Sequence, residues 1–239
     1  MQISVVVPVF NEAENIMPLF QRLKDTLESI GVSYEIIFVN DGSSDSSLDK
    51  MMLARTTTNN VKIIDFTRNF GQHSAIVAGF KFASGNMVAT IDADLQNPPE
   101  DIENIFEQFK LGFDYVGTIR RKRNDNAFRK YASVVVNKIR KIITKIPITD
   151  QGCMMRGYSQ EIAKKISDQA KKHTFIPLLG FQLAKNPTEI VVGHSARNSG
   201  KSKYSLLALI KLTLNLFKSA SQTNEENKIE FEIKDKIGF

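Results

Sequence analysis

Ile3-Ser4-Val5-Val6-Val7-Pro8-Val9-Phe10-Asn11-Glu12 sets a nearly continuous run of β-favouring residues directly before a proline, an aromatic ring and an acid. A run this apolar, without polar alternation, fits a strand covered on both faces, as in a parallel sheet. Residues 34–39, 61–66, 87–91 and 115–119 repeat the pattern, each bounded by turn-forming residues. Between the first two runs, Ile16, Leu19, Phe20, Leu23, Leu27 and Ile30 recur at helical spacing and predict a helix over 12–30. Asn11 is read as its N-cap, with Glu14 three residues on, and Gly31 as its C-cap. Residues 72–84 and 99–111 predict further helices, the second opened by Pro98-Pro99. Strand–helix alternation of this kind predicts a doubly wound, mostly parallel α/β sheet, with ligands beyond the carboxyl ends of its strands.

Composition narrows the class. At 239 residues, 42% hydrophobic and 24% charged, the chain is long enough and apolar enough for a globular core, which excludes disordered and collagen-like sequences. The single cysteine, Cys153, excludes an internal disulfide framework and a four-cysteine zinc site, and reads as a packing residue. No stretch approaches the roughly 18–20 apolar residues of a membrane span, and the first residues lack a signal-peptide pattern. These features predict a protein kept on the cytoplasmic side. His73, His173 and His194 show no metal-ligand spacing and read as structural.

The charge is local. Residues 120–145 hold ten Lys or Arg against Asp125, a +9 segment that leaves the remainder at −3 within the overall +6. Nucleic acid, an anionic membrane surface or a phosphorylated substrate each account for such a segment. Phe128, Tyr131, Ala132, Val135, Ile139 and Ile142 form an apolar stripe there, with most of the cations outside it. That is the pattern of a basic amphipathic helix lying on a membrane, or equally of a surface helix packed on the sheet. Nucleic acid is disfavoured because aromatic stacking residues are sparse. Residues 206–217 are apolar but interrupted at Lys211, Thr213 and Asn215, which suits an interface or a partner better than a core. The expected division is therefore one domain over 1–204, a membrane- or partner-facing amphipathic helix over 205–219, and a charged, loose tail over 220–239.

The chemistry concentrates at strand exits. Ile91-Asp92-Ala93-Asp94-Leu95-Gln96 follows a buried strand and offers two carboxylates one residue apart, with Gln96 as a further oxygen. Oxygen-only ligands suit Mg²⁺ or Mn²⁺, although Asp is also common in an ordinary turn. Val39-Asn40-Asp41-Gly42-Ser43 brings Asp41 to another exit, where it can accept from a nucleobase N–H or a ribose hydroxyl. Phe10 and Glu12 leave the first strand. Three acid-bearing exits in adjacent strands converge on one crevice. There is neither a G-x-G-x-x-G after the first strand nor a Walker lysine loop, which disfavours dinucleotide oxidoreductases, P-loop NTPases and nucleotidyltransferases.

With Val5 through Glu12, Val39-Asn40-Asp41-Gly42-Ser43, Arg68-Asn69-Phe70-Gly71-Gln72 and Asp92-Ala93-Asp94-Leu95-Gln96, the sequence resembles the family 2, GT-A-fold inverting glycosyltransferases. Leu95-Gln96-Asn97-Pro98-Pro99-Glu100, Val116-Gly117-Thr118-Ile119-Arg120, Asp150-Gln151-Gly152-Cys153-Met154 and Gly200-Lys201-Ser202-Lys203-Tyr204 resemble the polyprenyl-phosphate branch, which includes dolichol-phosphate mannose synthase. Gly71-Gln72-His73-Ser74-Ala75 and Thr174-Phe175-Ile176-Pro177 are similar to the bacterial undecaprenyl-phosphate 4-deoxy-4-formamido-arabinose transferases of lipid A modification.

The resemblance implies a GT-A sheet with C-terminal amphipathic helices. It also implies sugar transfer from a nucleotide sugar, uridine rather than guanosine, to a polyprenyl phosphate with inversion. Pro8, Phe10, Glu12, Asp41 and Asp92 would hold the nucleotide, and Asp92, Asp94 and Gln96 a Mg²⁺ or Mn²⁺ ion. Arg120, Arg129, Arg197 and Lys203 would bind phosphates, the last three the acceptor's. Asp94, Arg120, Arg129 and Asp150 form the expected catalytic set, Asp150 as a weak base, as an Arg-orienting group or as a structural loop acid. Those bacterial arabinose transferases continue into transmembrane helices, whereas this chain turns polar and charged after Ser219. The expectation is a peripheral protein on the cytoplasmic face of the inner membrane, with or without a separate transmembrane partner. The alternative is a non-catalytic, membrane-associated scaffold subunit of the same fold.

Overall fold

The computed structural model describes residues 1–121, 148–150, 152–172, 174–194 and 229–239. Eight strands form one sheet: β1 (Ile3–Val9), β2 (Tyr34–Asn40), β3 (Val61–Phe66), β4 (Met87–Thr90), β5 (Tyr115–Arg120), β6 (Arg156–Ser159), β7 (Pro187–Val192) and β8 (Ile233–Ile237). Their order is β7-β5-β6-β4-β1-β2-β3-β8. β1 pairs in parallel with β2 and β4, β2 with β3, and β5 with β7, while β6 and β8 run antiparallel to their neighbours. The chain moves outward from β1 through β2 and β3, then returns to lay β4 on the other side of β1. The mostly parallel, doubly wound sheet expected from the apolar runs is what forms.

Both faces are covered, which is why the central strands need no polar alternation. Val5 and Val7 pack with Leu19, Phe20, Leu23 and Leu27 of α1 (Ala13–Ile30), Met51 of α2 (Ser47–Thr57) and Ile102 of α4 (Asp101–Lys110). Val6 points the other way, into the cluster of α3 (Gln72–Phe82), α5 (Gln160–Gln169) and α6 (Ile176–Leu183). At Gly79 of α3 an added Cβ would lie 2.2 Å from a Val6 methyl, so this helix lies on the sheet at a separation only glycine permits.

Two expectations are corrected. Asn11 is not the α1 N-cap; Glu12 occupies that position, and Asn11 turns to φ +54°. Its carboxamide oxygen instead accepts from the Ser44 amide at 2.8 Å, tying the β1 exit to the β2 exit. Gly31 does take the left-handed C-cap, at φ +74°. The segment expected as a loose tail is ordered over its last part. Thr67 N–H donates to Glu232 O at 3.0 Å and Phe231 stacks on Phe66 at 5.3 Å. These contacts seat β8 against the edge of β3, and its charged residues face solvent, as an edge strand requires. The sheet thus extends past the boundary placed at residue 204. The helix expected over 205–219, the basic stripe over 128–142, and residues 220–228 lie outside the described residues. Among the described residues no helix is long and apolar enough to cross a membrane.

Two further side chains, Glu35 and His73, bear on stability. Glu35 on β2 is fully buried, and its carboxylate accepts from Ser84 N–H at 2.7 Å, from the Ser4 and Ser84 hydroxyls, and from Lys62 Nζ at 2.6 Å. Burial works to raise its pKa, but Lys62 and the serines outweigh it and hold the carboxyl below its usual range. Glu35→Ala would orphan these donors and is expected to cost about 3 kcal/mol in denaturant unfolding at pH 7. The wild-type advantage is present above the unfolded carboxyl's pKa and is lost as pH falls below it.

His73 lies on α3 against Phe175, ring centroids 6.2 Å apart, with Nδ1 buried and unpartnered. Burial pushes its pKa down to about 4 from the ordinary 6.5. The unfolded chain therefore takes up a proton near pH 6.5 that the folded protein refuses until about pH 4, so stability falls as pH drops through that window. His73→Gln is expected to flatten the loss, read as urea midpoints at pH 7, 5.5 and 4.5 for both proteins.

Candidate active site at the strand exits

The β1–β4 ladder ends at Val6–Thr90. Pro8, two residues further along β1, falls where no β4 partner requires an amide donor, which is why a proline is tolerated in a central strand. Beyond this point the two chains part at the place where the strand order reverses, the position at which doubly wound sheets bind ligands. Phe10 and Glu12 flank the crevice from β1, both half-buried, and Asp92-Ala93-Asp94 borders it from β4.

The acid-bearing turn after β4 is held by specific contacts. Asp92 Oδ1 accepts from Gln72 Nε2 at 2.6 Å, and Asp94 Oδ1 accepts from the Gln96 amide at 3.1 Å. Directly after Asp94, Leu95 takes φ +60°, a conformation that is costly for a residue with a Cβ. Its side chain is buried in the core, which holds the turn in this shape. Among the described residues no three His, Cys, Asp or Glu side chains gather into a metal cage made by protein alone. Paired carboxylates with an adjacent carboxamide fit Mg²⁺ or Mn²⁺, ions that take their remaining ligands from water and phosphate.

The β1 and β2 exits are laced together. Ser43 Oγ accepts from Asn11 N–H, Ser47 Oγ from Glu12 N–H and Asp45 Oδ2 from Ala13 N–H, at 3.0–3.2 Å. Glu12 Oε2 in turn accepts from Asn15 Nδ2 at 2.7 Å. Asp41 is buried, and its carboxylate accepts from the Phe70 amide at 2.6 Å and the Gly71 amide at 2.9 Å. Burial raises the Asp41 pKa above the ordinary value, against the pull of these two amides. Asp41 therefore organises the 67–71 loop, a structural duty that sequence reasoning missed. Gly42 makes the approach possible: at φ +65°, an added Cβ would lie 2.3 Å from the Arg68 carbonyl carbon. Arg68 then lies over the Phe70 ring at 4.1 Å.

On the other side of β4, β5 ends at the same edge of the sheet. Arg120 closes this strand and grips Asp150 through two bonds, Nε to Oδ2 at 2.7 Å and Nη2 to Oδ1 at 2.8 Å. The turn bearing Asp150 is joined to the β4 exit by Thr90, which donates to Met154 O, and by Cys153, 3.6 Å from Asn97 Oδ1. Cys153 is buried beside the Thr118 hydroxyl, and burial raises its thiol pKa, the state of a packing residue. Pro8, Phe10, Glu12, Asp41, Asp92, Asp94, Gln96, Arg120 and Asp150 thus lie along one edge of the sheet. Arg129, Arg197 and Lys203 lie outside the described residues. Gln72, which orients Asp92, carries no role in the sequence reading. The signal available was a carboxamide at the start of a helix that follows a strand exit.

Comparison with known proteins agrees with this geometry. The Glycosyl transferase family 2 profile matches residues 4–167. An undecaprenyl-phosphate 4-deoxy-4-formamido-L-arabinose transferase of Shewanella sediminis is 40% identical over 218 residues, covering 91% of this chain and 66% of that protein. The protein of the same name from Salmonella typhimurium is 43% identical over 216 residues, covering 90% of this chain and 66% of its own length. The chain thus spans just under two thirds of these relatives. Among solved structures, Mycobacterium tuberculosis glucosyl-3-phosphoglycerate synthase with Mn²⁺ and UDP-glucose superposes with a TM-score of 0.67 at 16% identity, covering 92% of this chain and 77% of that one. S. aureus TarS gives 0.56 at 15% identity, over 80% and 58% of the two chains. At such identities the structural likeness speaks to the fold, which is GT-A. Sequence match, sheet order and the acid-bearing exit after β4 agree, and the chain belongs to glycosyl transferase family 2.

Proposed function

We propose that this chain is an inverting glycosyltransferase that moves a sugar from a nucleoside-diphosphate sugar, uridine rather than guanosine, to a polyprenyl phosphate such as undecaprenyl phosphate. The observation that carries the reading is the pair Asp92 and Asp94 at the β1–β4 parting, oriented by Gln72 and by the Gln96 amide. The relatives' names support the acceptor, and the setting proposed is modification of lipid A or another envelope glycan at the cytoplasmic face of the inner membrane. In this reading Pro8, Phe10, Glu12 and Asp41 form the nucleotide side. Asp92, Asp94 and Gln96 would hold a Mg²⁺ or Mn²⁺ ion, which supplies positive charge against the diphosphate as it leaves.

The acceptor is a phosphate monoester, mostly dianionic at neutral pH because its second pKa is about 6. Its oxygen attacks the anomeric carbon as the bond to the nucleoside diphosphate breaks, and the leaving group takes the electron pair. No proton need be removed, so no base is required. Asp150, held by the Arg120 guanidinium through two bonds, suits the orienting role rather than the base. The obstacle is the mutual repulsion of two anions, and Arg120 supplies a fixed countercharge at the edge of the crevice. Arg129, Arg197 and Lys203 are proposed to receive the acceptor phosphate. The amphipathic 205–219 segment is proposed to meet the membrane or a transmembrane partner.

Transfer of radiolabel from a panel of UDP- and GDP-sugars into undecaprenyl phosphate, with Mg²⁺ or Mn²⁺ and membranes present, tests the proposal. Wild type is expected to give lipid-linked product from a UDP-sugar, and Asp94→Asn to lower kcat/KM roughly 10³-fold. Gln72→Ala, which removes the Gln72 contact to Asp92, is expected to cost about 10–100-fold. Chelation is expected to abolish turnover and Mn²⁺ to restore it. Absence of product from wild type across the panel would instead make the chain a non-catalytic subunit.

A further inference from the structure

Arg156, at the first position of β6, is fully buried. A guanidinium in this position is expensive: desolvation costs several kcal/mol, and an apolar side chain of similar volume would pack at lower cost. Among the described residues no carboxylate lies within ion-pair distance of it. Its partners are neutral oxygens: Nη2 donates to Asp150 O at 2.6 Å, Nε to Cys153 O at 2.9 Å and Nη1 to the Tyr115 hydroxyl at 2.7 Å. Tyr115 in turn donates to Pro177 O at 3.1 Å, so β5 and the start of α6 anchor the network from behind.

Two of these acceptors, the Asp150 and Cys153 carbonyls, lie on either side of the turn residue Gly152, and the Asp150 carboxylate holds Arg120. That carboxylate also accepts from the Gly152 amide at 3.1 Å and the Arg120 amide at 3.3 Å. The turn is thus gripped from two sides, by Arg156 on its carbonyls and by Arg120 on its carboxylate. Only a planar fork offers three directed donors at this spacing, and a lysine ammonium cannot reproduce them.

We infer that Arg156 is a positioning residue: it staples the backbone at Asp150 and Cys153 and thereby fixes where Asp150 holds the Arg120 guanidinium. It touches no substrate and acts through Asp150. The kinetic consequence rests on the transfer reaction proposed above, whereas the stapling does not.

Amide hydrogen exchange and steady-state kinetics on the full chain test this. In Arg156→Lys, exchange at the Arg120 and Gly152 amides is expected to accelerate about 10-fold or more, while that at Phe70 and Gly71, in the loop held by Asp41, stays within about 2-fold. Turnover is expected to fall about 10–100-fold in kcat with the nucleotide-sugar KM within about 3-fold. Asp150→Asn combined with Arg156→Lys is expected to be no slower than Asp150→Asn alone, because both act through one group. Equal acceleration at all four amides would mean general loosening and would overturn the inference, as would unchanged exchange at Arg120 and Gly152 or strictly additive losses. If Arg156→Lys does not fold, Tyr115→Phe, which keeps the ring and removes one acceptor, should give the same pattern at smaller amplitude; no change there overturns the inference. Should wild type show no transfer, the functional proposal fails while the exchange arm still decides this one.

Discussion

The parting of β1 from β4 beyond Val6 and Thr90 governs the rest of the molecule. A parallel ladder can end only where its backbone groups find other partners or reach solvent. Here Pro8 has no donor to lose, and the β4 chain turns away through Asp92 and Asp94. The crevice follows from that divergence, and so does the need to hold its rims. Each rim is held by polar contacts from a neighbouring exit: Ser43, Asp45 and Ser47 take the amides after β1, and Gln72 takes Asp92.

Several of these contacts share a design in which acidic side chains accept from backbone amides at or near the strand exits. Asp41 does so for Phe70 and Gly71, Asp45 for Ala13 and Asp150 for Gly152. Carboxylates engaged in this way organise the backbone and set acidic groups around the crevice. Arg120 lies on the same edge of the sheet and offsets part of that acidity. The balance of fixed anions and one braced cation is the electrostatic character of the described part of the site.

The central strands, α1, α3 and α4 were legible because their apolar periodicities are nearly unbroken. Asp92, Asp94 and Asp41 stand out in the sequence because they directly follow buried strands, but the sequence does not reveal that Asp41 also holds the Phe70 and Gly71 amides. Other features depend on distance in space rather than on local pattern. β8 reads as a tail because Lys234, Asp235 and Lys236 dominate its five residues, yet as an edge strand it needs only Ile233 and Ile237 on the sheet. α2 buries only Ser47, Met51 and Ala54, too narrow a stripe to announce a helix. Arg156, set between Met155 and Gly157, looks like a chance cation in an apolar run. Only the fold brings the Asp150 and Cys153 carbonyls to it.

The pairing of β3 with β8 joins chain segments far apart: the Thr67 hydroxyl meets Glu232 across 165 residues. During translation, at roughly 5–20 residues per second, the β3 edge and the loop that follows it must wait about ten to thirty seconds for that partner to emerge. Until then an unpaired strand edge and the Phe66 ring stay open to the wrong neighbour, an aggregation hazard in nascent chains. Late arrival of β8 makes the loop after β3 one of the last parts of the sheet to mature, and a stalled or shortened nascent chain would expose this edge first.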